Sequence, residues 1–149
     1  MTTTLTDDYG RRVVFTGEKL VAETTDTADG RKPQWVDLDI WRTDGGSYVV
    51  WRAAQYRLVH ANEHCPRVEG YDLAPGEATH PCTVCNPGGV TTGWVQAPRV
   101  TVDVHKTPED LIESLRIDGR YSRFARSILA DLSELDTRID KLWTEVTVP

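Results

Sequence analysis

The sequence predicts an α+β protein: a small antiparallel β-sheet with a zinc-stapled loop, followed by a C-terminal helical hairpin with a long amphipathic helix. Three observations lead there. Up to residue 105 apolar residues alternate with polar ones in short runs, the period of half-buried strands. Three cysteines and three of the four histidines fall within 60–85, at spacings that suit a tetrahedral metal ion. Beyond residue 106 apolar residues recur every three or four positions, as on a helix packed along one face. The expected division is a β-rich domain over 1–105, containing the zinc-binding loop at 60–87, and a helical segment over 106–149.

A chain of 149 residues is long enough to close a hydrophobic core without disulfides. Its net charge of −6 argues against nucleic-acid binding by the whole surface and leaves room only for a local basic patch. No run approaches the roughly 20 apolar residues that a membrane helix needs. The start, Met-Thr-Thr-Thr-Leu-Thr-Asp-Asp, lacks the basic and apolar regions of a signal peptide. A cytoplasmic protein without membrane association is expected, in a reducing compartment that keeps thiols available to a metal.

The first ten residues are polar and read as loose. Short β-rich runs follow at 11–15 and 18–23, and Gly30 and Pro33 mark a loop over 26–33. In 34–42, Val36, Leu38 and Ile40 point to one face and Asp37 and Asp39 to the other, with Trp35 and Trp41 beside the aspartates. Asp44-Gly45-Gly46 supplies a hairpin turn, and 47–53 returns as the partner strand. A further strand at 56–60 runs into the metal region. After Pro98, Val100, Val102 and Val104 alternate with Thr101, Asp103 and His105 as a last strand.

Cys82-Thr-Val-Cys85 lets two thiolates approach one ion around a tight backbone turn. Cys65 supplies a third sulfur, and the fourth ligand falls to a histidine. His60 ends a predicted strand and precedes Cys65 by a short loop, which makes it the first choice. His80, two residues before Cys82, is the runner-up; His64 is adjacent to Cys65, and neighbouring side chains in extended chain diverge. The expected cofactor is one structural Zn2+ on His60, Cys65, Cys82 and Cys85. Four protein ligands leave no open position for a reactive water. A thioredoxin-like redox pair would need a βαβ pattern, which the sequence lacks.

The stretch from Val59 through His60 and Cys65 to Pro66, followed by His80-Pro-Cys82-Thr-Val-Cys85-Asn-Pro87, resembles the small metal-binding module of Ada-type proteins. That module uses four cysteines and accepts a methyl group on one of them, whereas here a histidine takes one position. Separately, 34–51 resembles the EXLDI family of small proteins, mostly of actinobacteria and their phages; Val36 stands where the name expects Glu, while Leu38, Asp39 and Ile40 fit. That resemblance implies a fold and a lineage without an activity.

Thr107-Pro-Glu-Asp is a helix start: a capping hydroxyl, proline in the first turn and acids against the dipole. This first helix, of about ten residues, should end near Asp118-Gly119. A second, from about Tyr121 almost to the C-terminus, carries Tyr121, Ala125, Ile128, Leu132, Leu135, Ile139, Leu142 and Val146 at alternating spacings of four and three. Such a heptad seam suits a homodimer or packing on the chain itself.

No ordered catalytic set is evident: there is no nucleophile beside a base and no phosphate-cradling loop. A non-enzymatic binding protein is therefore expected. Its contacts would be with an unidentified protein partner or a second copy, through Trp35, Trp41 and the C-terminal helix. The alternative is nucleic-acid binding through Arg116, Arg120, Arg123 and Arg126, which cluster at the helix junction.

Overall fold

The computed structural model of the chain describes residues 2–28, 34–56, 59–60, 79–80, 90–91 and 99–144. Strands β1 (Thr2–Thr6), β2 (Arg12–Thr24), β3 (Gln34–Thr43), β4 (Tyr48–Tyr56), β5 (Val59–His60), β6 (Thr79–His80), β7 (Val90–Thr91) and β8 (Arg99–His105) precede helices α1 (Pro108–Ser114), α2 (Arg123–Leu135) and α3 (Thr137–Thr144). Two sheets form, one in the order β1-β2-β3-β4-β8 and one in the order β5-β7-β6. The chain divides into two compact units: Met1–Glu23, Leu38–Arg52 and Val100–Pro149 form the first, and Thr24–Asp37 and Ala53–Arg99 the second. The expected boundary at 105/106 falls inside the first unit, because the helices pack on the larger sheet.

Contrary to expectation, the polar start is a strand. Threonine is β-branched and suits a pleated surface. Thr2 to Thr6 pair antiparallel with Thr16 to Arg12. The turn between them is built by Asp7, whose carboxylate accepts from the amides of Tyr9 (2.9 Å) and Arg11 (3.0 Å). Gly10, at φ +80°, takes a conformation that other residues rarely adopt. The Asp8 amide then donates to the Val100 carbonyl (3.2 Å), and the Arg11 guanidinium donates to the Val102 carbonyl. These bonds tie the β1–β2 turn to the opposite edge strand, so the sheet curls.

Curling gives the sheet two apolar faces. On the concave one, Trp41, Val49 and Val102 are buried, with Leu5, Val13, Phe15, Trp51 and Val100 packed around them. The Trp41 ring meets Phe15 edge-on, with centroids 5.8 Å apart. Lys19 Nζ lies 5.0 Å over the same indole and pairs with Asp39 at 3.2 Å. Gly17 in β2 permits close approach to β3, since a Cβ there would lie 2.2 Å from the Arg42 carbonyl oxygen.

The other face receives the helices. Val21, Leu38, Ile40, Tyr48 and Val50 pack with Leu111, Leu115, Ala125, Ile128, Leu129, Leu132 and Ile139. Each fully buried leucine or isoleucine among these stabilises the fold by about 1.5–3 kcal/mol relative to exposure. Leu38 and Ile40 thus occupy the core face that their alternation predicts, whereas Val104 is exposed.

Helix α1 starts as its sequence predicts, with Thr107 Oγ1 accepting from the Asp110 amide at 3.1 Å, but it is shorter than expected. It gives way after Ser114 to a turn through Asp118 and Gly119, both at positive φ. Ser122 caps α2 through the Ala125 amide (3.0 Å). The expected long second helix is interrupted at Asp136, whose φ of −136° and ψ of 113° leave the helical region. The seam is correspondingly broken. Ala125, Ile128, Leu132 and Ile139 are buried, while Leu135 (53%) and Leu142 (41%) are exposed; Val146 lies outside the described residues.

Within the second unit, the Thr25 amide donates to the Val36 carbonyl (2.9 Å) and the Val36 amide to Thr25 Oγ1 (2.8 Å). Gln55 Nε2 donates to Asp37 Oδ2 (3.2 Å). The three short strands β5, β7 and β6 make its own sheet. Among the described residues no helix is long and apolar enough to cross a membrane.

Candidate functional site

The second unit's sheet fixes where the expected metal ligands attach to the fold. Strand β7 pairs antiparallel with both neighbours, Val90 opposite His60 on one side and opposite His80 on the other. Strands β5 and β6 therefore run parallel to each other and end at the same level, where β7 begins. His60, Val90 and His80 form one row, with the outer two Cα atoms about 10 Å apart at the usual strand spacing. Cys82 follows His80 by two residues, which holds their Cα atoms within about 7 Å. Cys65 follows His60 by five and Cys85 precedes Val90 by five, so each is tethered within about 18 Å of its row position even at full extension.

Cys65, Cys82, Cys85 and His64 lie outside the described residues. His60 and His80 are placed by backbone register alone. Among the described residues no group of three or more histidines, cysteines or acids is positioned to hold a metal. As a donor set, three thiols and an imidazole at these spacings fit Zn2+ and suit hard, oxygen-seeking cations poorly.

The four arginines of the helix junction are all exposed. Arg116 pairs with Glu113 at 3.4 Å and lies 5.6 Å over the Tyr121 ring. Arg120 closes the small turn, exchanging backbone hydrogen bonds with Ile117 (2.7 and 2.9 Å). Arg123 opens α2, and Arg126 follows three residues later on the same side of the helix. The tryptophans separate: Trp35 is partly exposed, whereas Trp41 is 7% exposed in the concave core. Trp41 thus belongs to packing and is not an exposed contact residue, because the curled sheet covers the face that alternation alone leaves to solvent.

A polar cluster that sequence reasoning missed sits in the first unit. Asp136, 2% exposed, accepts hydrogen bonds at Oδ2 from the Tyr48 hydroxyl (2.7 Å) and Arg42 Nη1 (3.1 Å). Its Oδ1 accepts from the amides of Arg138 (2.9 Å) and Ile139 (3.1 Å), capping α3. Burial alone would raise the Asp136 carboxyl, but the bonds from Tyr48, the Ile139 amide, Arg42 and the Arg138 amide outweigh it and hold the pKa below the ordinary value. For Tyr48, burial and then the hydrogen bond to Asp136 push the phenol up to about 12. Arg42 is shared with Glu18 on β2. Arg138 Nη2 donates to the Gly46 carbonyl and the Tyr48 hydroxyl, each at 2.9 Å. The four-and-three spacing of apolar residues runs through Asp136 without a break, so the seam gives no local sign of this cluster.

A second acidic position pairs Glu23 of β2 with Asp131 of α2. The hydrogen bond to Asp131, then burial, then the neighbouring charge push the Glu23 carboxyl above its usual range.

No family model, curated protein or solved structure matches the chain.

Proposed function

We propose that the chain is a zinc-stabilised binding protein that acts through contacts with a protein partner, with one structural Zn2+ held by His60, Cys65, Cys82 and Cys85. One observation supports this above the others. Two strands that lead into cysteine-bearing segments end beside the start of a third that leaves one, so all three cysteines are tethered to one end of a single small sheet. Four protein donors would complete a tetrahedral shell and leave no position for an activated water, which favours binding over hydrolysis. A reducing cytoplasm would keep the thiols available. The Ada-type likeness of 59–66 and 80–87 adds the donor pattern; methyl acceptance is not part of the proposal, since a histidine replaces one thiol. The EXLDI likeness of 34–51 contributes a lineage to it and no activity. Self-association would rest on Leu135 and Leu142, the described seam positions exposed to solvent.

The test is metal content by native mass spectrometry of the purified chain, with Cys82→Ser and His60→Ala variants and light-scattering mass on the same samples. One zinc per chain, absent in Cys82→Ser and weakened in His60→Ala, is expected. A metal-free, folded protein would overturn the reading, and retention in His60→Ala with loss in His80→Ala would reassign the fourth ligand.

A second reading, nucleic-acid binding, is favoured by a specific observation: Arg120, Arg123 and Arg126 are exposed and none has a carboxylate within 4.0 Å among the described residues. Affinity for a duplex that falls steeply with salt, and falls less steeply in Arg120→Ala/Arg123→Ala, would support it over the partner reading.

A further inference from the structure

We infer a binding cleft for a small organic phosphate monoester between the start of α1 and the end of α3. Lys106, Pro108, Glu109, Arg138, Lys141 and Leu142 line a cavity of about 370 Å3, within the roughly 300–1,000 Å3 of small-molecule sites. The lining carries three cations and one carboxylate, a local excess of two positive charges on a chain whose net charge is −6. Among the described residues neither Lys106 nor Lys141 has a carboxylate within 4.0 Å.

Arg138 is held in place. Its guanidinium donates to the Gly46 carbonyl and the Tyr48 hydroxyl and lies 5.2 Å over the Tyr48 ring. Tyr48 is in turn fixed by Asp136, which also accepts from Arg42 at 3.1 Å. A guanidinium ordered before the ligand arrives loses less rotamer freedom on binding. Beside these cations, Leu142 is 41% exposed and offers an apolar wall.

The charge excess of two matches a phosphate monoester, which carries about −1.5 to −2 near neutral pH, better than a monocarboxylate. A cavity of this size takes a compact ligand, and the acidic chain as a whole repels an extended polyanion at long range. The cleft is lined by the first unit alone and does not depend on the zinc reading.

Phenyl phosphate titrated into the 15N-labelled full chain, followed by amide NMR, tests this. Saturable shifts confined to 106–109 and 138–142 are expected. Lys106→Gln/Lys141→Gln should weaken binding by about tenfold or more, since two charge-assisted contacts are lost. Glu109→Gln should tighten it, and inorganic phosphate, lacking the ring, should bind more weakly. Linear shifts without saturation up to about 20 mM, far above any useful affinity, would overturn the site. Unchanged binding by the double lysine variant, with its amide spectrum otherwise intact, would do the same. Equal affinity for inorganic and phenyl phosphate would overturn the organic part of the assignment.

Discussion

In the first unit, five residues of the sheet meet seven of the helices in one apolar cluster, and Trp41, Val49 and Val102 anchor another on the opposite face. The stretch 61–89 of the second unit is of another kind: Val68, Tyr71, Leu73 and Val84 are its large apolar residues, against Pro66, Pro75, Pro81 and Pro87 and four glycines. Ordering each residue costs about 1–2 kcal/mol of backbone entropy, which so few apolar side chains cannot offset. The difference teaches that one chain can draw on two sources of stability, burial in one unit and, on the zinc proposal, metal coordination in the other.

The comparison breaks most visibly on metal removal. A structural zinc contributes about 10–16 kcal/mol of apparent binding energy that is also folding energy. Chelation or Cys82→Ser should therefore abolish hydrogen-exchange protection in peptides spanning 59–91 and leave peptides from 111–139 unchanged. Equal loss in both regions would mean that one cooperative core serves the whole chain. No loss in either would mean that the second unit stands without metal.

A smaller effect, confined to the first unit, is expected at Asp136. Replacing it with alanine removes the α3 cap and the acceptor of the Tyr48 hydroxyl and leaves Arg42 paired with Glu18 alone, a loss of about 1–3 kcal/mol by urea denaturation, with zinc content unchanged. The pH dependence separates the partners. Asp136 has a lowered pKa in the folded chain, so its contribution is present above the unfolded carboxylate range and is lost as pH falls through the folded value. Tyr48 moves from 10.0 to about 12 on folding, so its contribution is present below pH 10 and declines as pH rises toward 12. Tyr48→Phe should remove the alkaline loss and keep the acid one. An unchanged alkaline profile in that variant would show that the phenol does not control it.

Residues whose neighbours in sequence are also their neighbours in space declared themselves. Leu38 and Ile40 alternate, Thr107 precedes Pro108, and the hairpin at Gly45-Gly46 needs only a turn. What stayed hidden depends on distant pairings. Trp41 is covered because the β1–β2 turn reaches β8 across the curled sheet, a contact between Asp8 and Val100 that no local period encodes. The break at Asp136 was masked because Leu135 and Ile139 keep a four-residue step across it, and its partners Arg42 and Tyr48 are 94 and 88 positions away. The cysteine spacing was plain, yet the row of His60, Val90 and His80 emerges only from strand pairing between segments ten to thirty residues apart.

The smallest expected effect has the opposite sign. Glu23 and Asp131 face each other across β2 and α2, and the Glu23 carboxyl is raised. An acid raised on folding binds its proton more tightly in the native state, so its contribution is present below the unfolded carboxylate range and is lost as pH rises through the folded value. Once pH exceeds that value, the Glu23 carboxylate and the Asp131 charge repel, and the pair opposes the packing of α2 on the sheet. Glu23→Gln should therefore stabilise the first unit at pH 7 by about 0.2–1 kcal/mol, the scale of opposed like charges on neighbouring elements, and the gain should vanish in acid. Thermal unfolding of the two proteins at pH 7 and pH 4 measures this. Destabilisation by glutamine at pH 7 would mean that the hydrogen bond between Glu23 and Asp131, and not their repulsion, decides the worth of the pair.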